Sequence, residues 1–550
     1  MYQIHRLLIL LDRYFFLSSP VIYSQCRKNK KSRGRQADGR TTLLSSAMGE
    51  ADSLLHFLFV SFPGQGHVNP LLRLAKRIAA KGPLVTFSTT VDTGRRIRAA
   101  SNSSLDPADD SEDELIPVGL GFLRFEFFHD GADPDDPLRD ELEILMERLE
   151  FNGPPALTDL INRQARAGRP VSCIVNNPFL PWALEVAEEV GIPSAVLWVQ
   201  SCAVFSTYYH FHHRLADFPT DDNPDVTVRL PGLPPMSPDD LPTFLLPSNP
   251  YKPLTKVILA QFHNISKARW VFANSFEELE RDAFKAMAKV SPVIPIGPLV
   301  DCGESQLGKI KADMWKTADH CLDWLDKHRD RSVVYISAGS IVMLSSAEMQ
   351  ELAYGLKDSG RPFLWVVREN LRELLPAGYE EEIAAGGLGL LVGWSPQEKV
   401  LAHRALACFV THCGWNSTLE LIAAGVPVVA YPQWGDQIPD AKFLCEVYGI
   451  GLRLPAPAAR TDVVNYLTAV IEGPDGEAMR KRAKEWRDVA LAAVAPGGSS
   501  DRNIDKFVHD IRIWVASNGA AAINGKISAL DIVAADGFPI SAEPPKAAIN

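Results

Sequence analysis

Cysteine is scarce in this chain: eight in 550 residues, Cys26, Cys173, Cys202, Cys302, Cys321, Cys408, Cys413 and Cys445. They are scattered, mostly in apolar runs, and fit neither a disulfide framework nor a zinc framework. They read as buried free thiols of a reducing, cytoplasmic compartment. Positive charge is also short: 56 Lys and Arg against 67 Asp and Glu leave a net charge of −11. With no basic stripe outside the N-terminus, nucleic acid is excluded as a partner. The apolar stretches Leu7 to Leu11 and Tyr14 to Leu17 are split by Asp12 and Arg13 and fall short of a span, so stable membrane insertion is not expected. The dinucleotide pattern GxGxxG is missing from the first strand-to-helix turn, which reads Gly64, Gln65, Gly66, His67. A hydride-transfer enzyme is therefore disfavoured.

The hydrophobic share of 46% and charged share of 22% are those of a globular enzyme, and the length implies about two or three domains. Residues 1–47 differ from the rest: nine Lys and Arg against Asp12 and Asp38 make them +7 and leave −18 for the remainder. The reading preferred here is that Met48 is the functional start and that residues 1–47 are poorly ordered, with a targeting segment as the alternative. Residues 54–62 read as a strand running into Pro63–Pro70, with a helix from Leu71 stopped by Gly82 and Pro83. This is the opening of a doubly wound α/β domain, in which ligands bind at the C-terminal strand ends, and it places His67 in a cleft-facing loop. Residues 101–114 read as an acidic loop, 172–175 and 193–199 as strands, and Tyr208–His213 as an aromatic face near an acceptor cleft rather than a metal site. A second domain opens with the strand 331–337, a phosphate-type turn at Gly339 and Ser340, and a helix capped by Ser345 and Glu348.

The most informative segment is 394–437. An apolar strand at Ala407–Val410 turns through His412, Cys413 and Gly414 into a helix that Gly425 ends. A strand that turns into a helix N-terminus offers free backbone N–H groups and a positive dipole end, so an anionic ligand is expected there. His412, Asn416 and Ser417 add donors, and Glu420 can accept from a sugar hydroxyl. A metal site built from His403, Cys408, His412 and Cys413 fits no common spacing, so no metal is expected.

Trp394, Pro396, Gln397, His412, Cys413, Gly414, Trp415, Asn416, Ser417, Glu420, Gly425, Pro427, Pro432, Asp436 and Gln437 together resemble the donor-binding signature of plant UDP-sugar-dependent glycosyltransferases. The resemblance, over about Ala51–Ser517, implies an α/β GT-B fold: two Rossmann-like doubly wound domains facing across a cleft. It implies an acceptor-binding domain (48–299), a linker (300–318), a UDP-sugar-binding domain (319–480), helices returning to the first domain (481–516) and a loose tail (517–550). It also implies that Trp394 stacks on uracil and that Glu420 holds the ribose hydroxyls. His412, Asn416 and Ser417 would hold the diphosphate, and Trp415, Asp436 and Gln437 the sugar, with Gln437 favouring glucose. Ser340 and Gln397 complete the expected donor set. No cofactor beyond UDP-glucose as donor co-substrate, and a monomeric enzyme, are expected.

His67 resembles the family's general base. The position that in most of the family carries its Asp partner reads Asn177, so His67 is expected to be a weak base. Weak bases suit acceptors that are already ionised, and the stretches around Asn177 and Pro193–Ala203 resemble the subgroup that makes glucose esters of hydroxycinnamates and benzoates. The expected reaction is transfer of glucose to an aromatic carboxylate. The alternatives are glucosylation of phenols such as flavonoids, and an inactive UDP-sugar-binding protein.

Overall fold

The computed structural model describes residues 55–100, 114–133, 136, 138, 141–301, 314–315, 317–339 and 344–535, with backbone alone for 519–535. The expectations for residues 1–47, for most of the acidic loop and linker, for Ser340, Cys26 and Cys302, and for residues 536–550 lie outside these.

Among the described residues, fourteen strands form two sheets. The first contains β1 (His56–Val60), β2 (Leu84–Ser88), β3 (Ile116–Val118), β4 (Gly121–Phe125), β5 (Cys173–Asn176), β6 (Ser194–Trp198), β7 (Trp270–Ala273) and β8 (Val293–Pro295), in the order β3-β4-β2-β1-β5-β6-β7-β8. The second contains β9 (Val333–Ser337), β10 (Phe363–Val366), β11 (Gly389–Val392), β12 (Leu406–Thr411), β13 (Val428–Ala430) and β14 (Gly451–Arg453), in the order β11-β10-β9-β12-β13-β14. Every pairing but β3 with β4 is parallel. Helices must cover both faces of such sheets, which is why the strands read as unbroken apolar runs rather than alternating ones.

The helices that position the site are α1 (Gln65–Ala79), α2 (Trp182–Val190), α3 (Cys202–His212), α4 (Gln397–Leu401), α5 (Trp415–Ala424), α6 (Gln437–Lys442) and α7 (Ser499–Ala535). In α7 the buried Ile504, Phe507, Val508 and Ile511 join the core of the first sheet. Phe507 lies 4.8 Å from the Phe272 ring and 5.5 Å from that of Phe57. Each such apolar side chain contributes roughly 1.5–3 kcal/mol by burial, so the chain's end fastens onto its first domain.

Three expectations need adjusting. His67 is not in a loop: the chain is extended only to Gly64 (φ −103, ψ 140), and α1 begins at Gln65. Pro70 is tolerated inside α1 because its missing N–H frees only the carbonyl four residues back, that of Gly66. The last helix does not stop at 516, and the tail from 517 is not loose throughout: helical backbone continues to Ala535, where alanines offset Gly519 and Gly525.

Candidate active site

In an open parallel sheet the binding crevice lies beyond the carboxyl ends of the strands, where strand order reverses. In the first sheet that point lies between β1 and β5, paired through Val60 and Asn176. In the second it lies between β9 and β12, paired through Ser337 and Thr411. The chain leaving each strand end carries the expected residues, so His67 and Asn177 belong to one switch point, and Gly339 and His412 to the other.

At the first, His67 Nδ1 meets Asn177 Oδ1 at 3.1 Å. The rings of Phe179 and Phe62 stand edge-on to the imidazole at 4.7 and 5.0 Å. Asn177 Oδ1 also accepts from the Phe179 amide at 3.1 Å. With its oxygen anchored in this way, Asn177 accepts a hydrogen bond from Nδ1–H and leaves Nε2 as the basic nitrogen. Burial drives the pKa of His67 down to about 4, against which the Asn177 hydrogen bond is the one opposing influence. The imidazole is neutral at pH 7. Within the first domain, Trp198, Phe205, Tyr208, Tyr209 and Phe262 form an aromatic cluster around α3 that is mostly buried core. His210, expected on an aromatic face near an acceptor cleft, is buried with its Nδ1 on the Ser206 carbonyl at 2.7 Å.

At the second, Cys413 takes φ 66, a left-handed turn costing a non-glycine residue roughly 1–2 kcal/mol. It swings the chain into α5, whose N-cap is Gly414 and whose end is Gly425. The His412 ring lies between two glycines. A Cβ on Gly339 would sit 2.6 Å from His412 Cε1, and one on Gly414 would sit 2.5 Å from His412 Nε2. Burial lowers the His412 pKa to about 4, with a hydrogen bond to the Ser337 backbone acting the other way. Its Nδ1, and Asn416 Oδ1, are buried without a hydrogen-bond partner among the described residues, so the helix terminus holds polar atoms ready for a ligand. Among the described residues no three His, Cys, Asp or Glu side chains are grouped to hold a metal. Cys408 and Cys413 pack into different cores, and His403 turns to Asp326 at 3.2 Å.

The remaining donor residues surround this helix. Gln397 Nε2 donates to Ser417 Oγ at 2.9 Å and to Glu420 Oε2 at 2.7 Å, while its Oε1 accepts from the Tyr335 hydroxyl at 3.0 Å. The Trp394 ring has Trp315 beside it, centroids 4.7 Å apart. Trp415 is buried, its indole N–H given to the Asn274 carbonyl at 2.6 Å. Its indole N–H is therefore used in joining the two domains. Gln437 Oε1 caps the Gln433 amide at 3.0 Å, which leaves its Nε2 as the group to present. Asp436 is raised to about 6 by burial, against a hydrogen bond from Gln200 of the first domain. Neighbouring Asp440 is raised well above the carboxylate range, first by burial and then by Asp436 and Glu280. The structure gives no placement for Ser340.

The two switch points meet through α1 and α5. Asn416 Nδ2 donates to the Gly66 carbonyl at 2.9 Å. Arg73, which the sequence reading did not single out, donates to Glu398 Oε1 at 2.7 Å and to Glu420 Oε1 at 3.3 Å, with Asp301 at 3.6 Å. Gln200, Phe179 and Glu398 likewise carry no role that the sequence alone assigns. An arginine in an amphipathic helix looks like a solvated residue, and nothing local announces partners 325 and 347 residues away.

The family model described as UDP-glucoronosyl and UDP-glucosyl transferase matches residues 309–482. Over 488 residues the chain is 46% identical to gallate 1-beta-glucosyltransferase of Quercus robur, covering 86% of this chain and 93% of that one. It is 42% identical over 495 residues to cinnamate beta-D-glucosyltransferase of Fragaria ananassa, covering 88% and 86%. Its fold matches the crystal structure of Os79 from O. sativa in complex with UDP, with TM-score 0.72, 31% identity, and 83% and 100% of the two chains covered. With two doubly wound sheets whose switch points face each other, and with this likeness along most of its length, the chain belongs to the UDP-glucosyltransferase family, enzymes of the GT-B fold that use a UDP-sugar donor.

Proposed function

We propose that this enzyme transfers glucose from UDP-glucose to the carboxylate of an aromatic acid of the hydroxycinnamate or benzoate type, giving a 1-O-acyl-β-glucose ester. The observation that carries this reading is the His67 and Asn177 pair: an imidazole with a pKa near 4, held by a neutral amide. A phenol near pKa ~10 lies roughly six units above such a base, whereas a carboxylic acid near ~4 is ionised at neutral pH without help. The gallate and cinnamate specificities named for the two relatives support the same acceptor class.

The carboxylate oxygen attacks the anomeric carbon from the face opposite UDP. Its lone pair forms the new C–O bond as the bond to the diphosphate oxygen breaks, and UDP leaves with that electron pair. In this reading His412, Asn416, Ser417 and the N–H groups opening α5 stabilise the charge gathering on the diphosphate. Trp394 stacks on uracil, Glu420 takes the ribose hydroxyls, and Asp436 with Gln437 takes the sugar hydroxyls. No proton transfer is required with an acid; with a phenol, His67 Nε2 takes the hydroxyl proton. We also propose that the enzyme acts as a monomer in the cytoplasm, where its buried thiols stay reduced. No helix among the described residues is long and apolar enough to cross a membrane.

A screen of matched benzoic acids and phenols with UDP-glucose tests this reading. Products labile to mild base, formed in preference from the acids, are expected; base-stable glucosides formed in preference from the phenols would overturn it.

A further inference from the structure

Arg73 lies in the middle of α1 with its side chain 11% exposed, and its guanidinium is enclosed by Glu398 and Glu420 of the second domain and Asp301 just past the end of the first. Burial works against its charge, but Glu398, Glu420 and Asp301 outweigh this and hold it charged above the ordinary arginine range. Burial pushes Glu398 itself up to about 7, with Arg73 opposing. Lys76, one turn on, pairs with Asp301 at 3.1 Å. The cluster thus contains two cations and three carboxylates, and one of the carboxylates is Glu420.

Glu420 is held from two sides. Arg73 donates to Oε1 from Nη1 at 3.4 Å and from Nη2 at 3.3 Å, and Gln397 Nε2 donates to Oε2 at 2.7 Å. A carboxylate offers about four lone-pair sites, two per oxygen. Both Arg73 Nη atoms lie on Oε1 and Gln397 lies on Oε2, which fixes the plane of the group and leaves one lone-pair site on Oε2. One remaining acceptor on a rigid carboxylate can select a single ribose hydroxyl. We propose that Arg73 is a positioning residue for the donor site: acting across the domain cleft, it orients Glu420 so that Oε2 accepts from the 2′-hydroxyl of the nucleotide's ribose. The proposal rests on the reading of Glu420 as the ribose acceptor. It places on α1, the helix that bears His67, a second determinant that serves the nucleotide.

The fork of Arg73 spans Glu398 and Glu420, and lysine, a point charge, cannot hold both. The test is calorimetric binding of UDP and 2′-deoxy-UDP to wild type, R73Q, R73K and E420A. Wild type is expected to prefer UDP by about tenfold, the worth of one hydrogen bond to a charged group. R73Q is expected to shrink that preference below about threefold, chiefly by weakening UDP, with R73K intermediate. A merely structural role for Arg73 would weaken both ligands equally and leave the ratio intact, which overturns the proposal. If R73Q does not fold, R73K carries the test, and a wild-type ratio in R73K is the overturning result. E420A separates the two levels. If it abolishes the preference while the arginine variants keep it, the positioning role alone fails. If E420A keeps the preference, the ribose reading of Glu420 fails first.

Discussion

Asn416 Nδ2 donates at 2.9 Å to the Gly66 carbonyl, the one carbonyl of α1 that Pro70 deprives of its intrahelical donor. A sequence feature that looks like a helix breaker is thus the means by which one domain offers an acceptor to the other. Gly66 and Arg73, seven residues apart, share a face of α1, and Asn416 and Glu420, four apart, share a face of α5. Two helices from different sheets are therefore matched at two points.

Replacing that amide by a carboxylate sets a negative charge against both the Gly66 carbonyl and the proposed diphosphate position. Asn416→Asp is expected to lower UDP affinity on the order of a hundredfold, measured by calorimetry, while leaving the circular dichroism spectrum unchanged. Affinity within a factor of a few of wild type would remove Asn416 from the diphosphate site.

Loss of the imidazole should separate the acceptors. His67→Ala is expected to cost phenols on the order of a hundredfold in kcat/KM, and aromatic acids less than about tenfold. Asn177→Asp supplies the missing charge, raises the His67 pKa and should increase phenol turnover relative to acid turnover. Equal losses on both acceptors in His67→Ala would count against the ionised-acceptor mechanism.

The two glycines enclosing His412 give a steric prediction. Gly339→Ala places a methyl 2.6 Å from the ring at a residue whose φ is +72, so strain and collision add. A destabilisation of about 1–3 kcal/mol is expected, with a fall in UDP affinity larger than that in acceptor affinity. Denaturant titration and donor KM check the two parts separately.

Buried histidine makes stability depend on pH. His56, with Nδ1 on the Arg169 carbonyl at 2.7 Å and Nε2 on Thr86 Oγ1 at 2.8 Å, has its pKa lowered by burial to about 4. The unfolded chain takes up this proton near 6.5 and the folded one only near 4, so the contribution is full above 6.5 and is lost as pH falls toward 4. Glu398 and Asp436, raised to about 7 and about 6, slope the opposite way as pH rises through those values. The difference between wild type and His56→Asn isolates the histidine. It should narrow by up to roughly 3 kcal/mol between pH 6.5 and 4 in denaturant titrations, and a constant difference would contradict the assignment.

The last helix can be tested the same way. Phe507→Ala removes a ring packed on Phe57, Trp270 and Phe272, and should cost about 3–5 kcal/mol of unfolding free energy.

Legibility followed sequence distance. The segment 394–437 could be read because strand, turn and helix are contiguous and each carries its own local signal: an apolar run, a glycine at the turn, a left-handed glycine at the end. The Ser345 and Glu348 capping box was readable for the same reason, and both its halves are present. His67 and Asn177 were placed at strand ends by pattern, and they meet because β1 and β5 are neighbours. The helical setting of His67 was hidden by two glycines and a proline, which suggest a loop until the spacing between Pro70 and Gly66 is counted. The fate of the Trp415 indole was hidden too, since its acceptor is 141 residues away. Arg73 was invisible because a buried arginine and a solvated one look alike until the opposing carboxylates are brought to it.

The double match between α1 and α5 bears on recombination. A hybrid that joins the acceptor half of one relative to the donor half of another inherits its two sides from different parents. Only crossovers that bring a Pro70-like carbonyl donor gap and an Arg73-like fork opposite a compatible Asn and Glu will keep nucleotide handling intact, whatever the quality of each half alone.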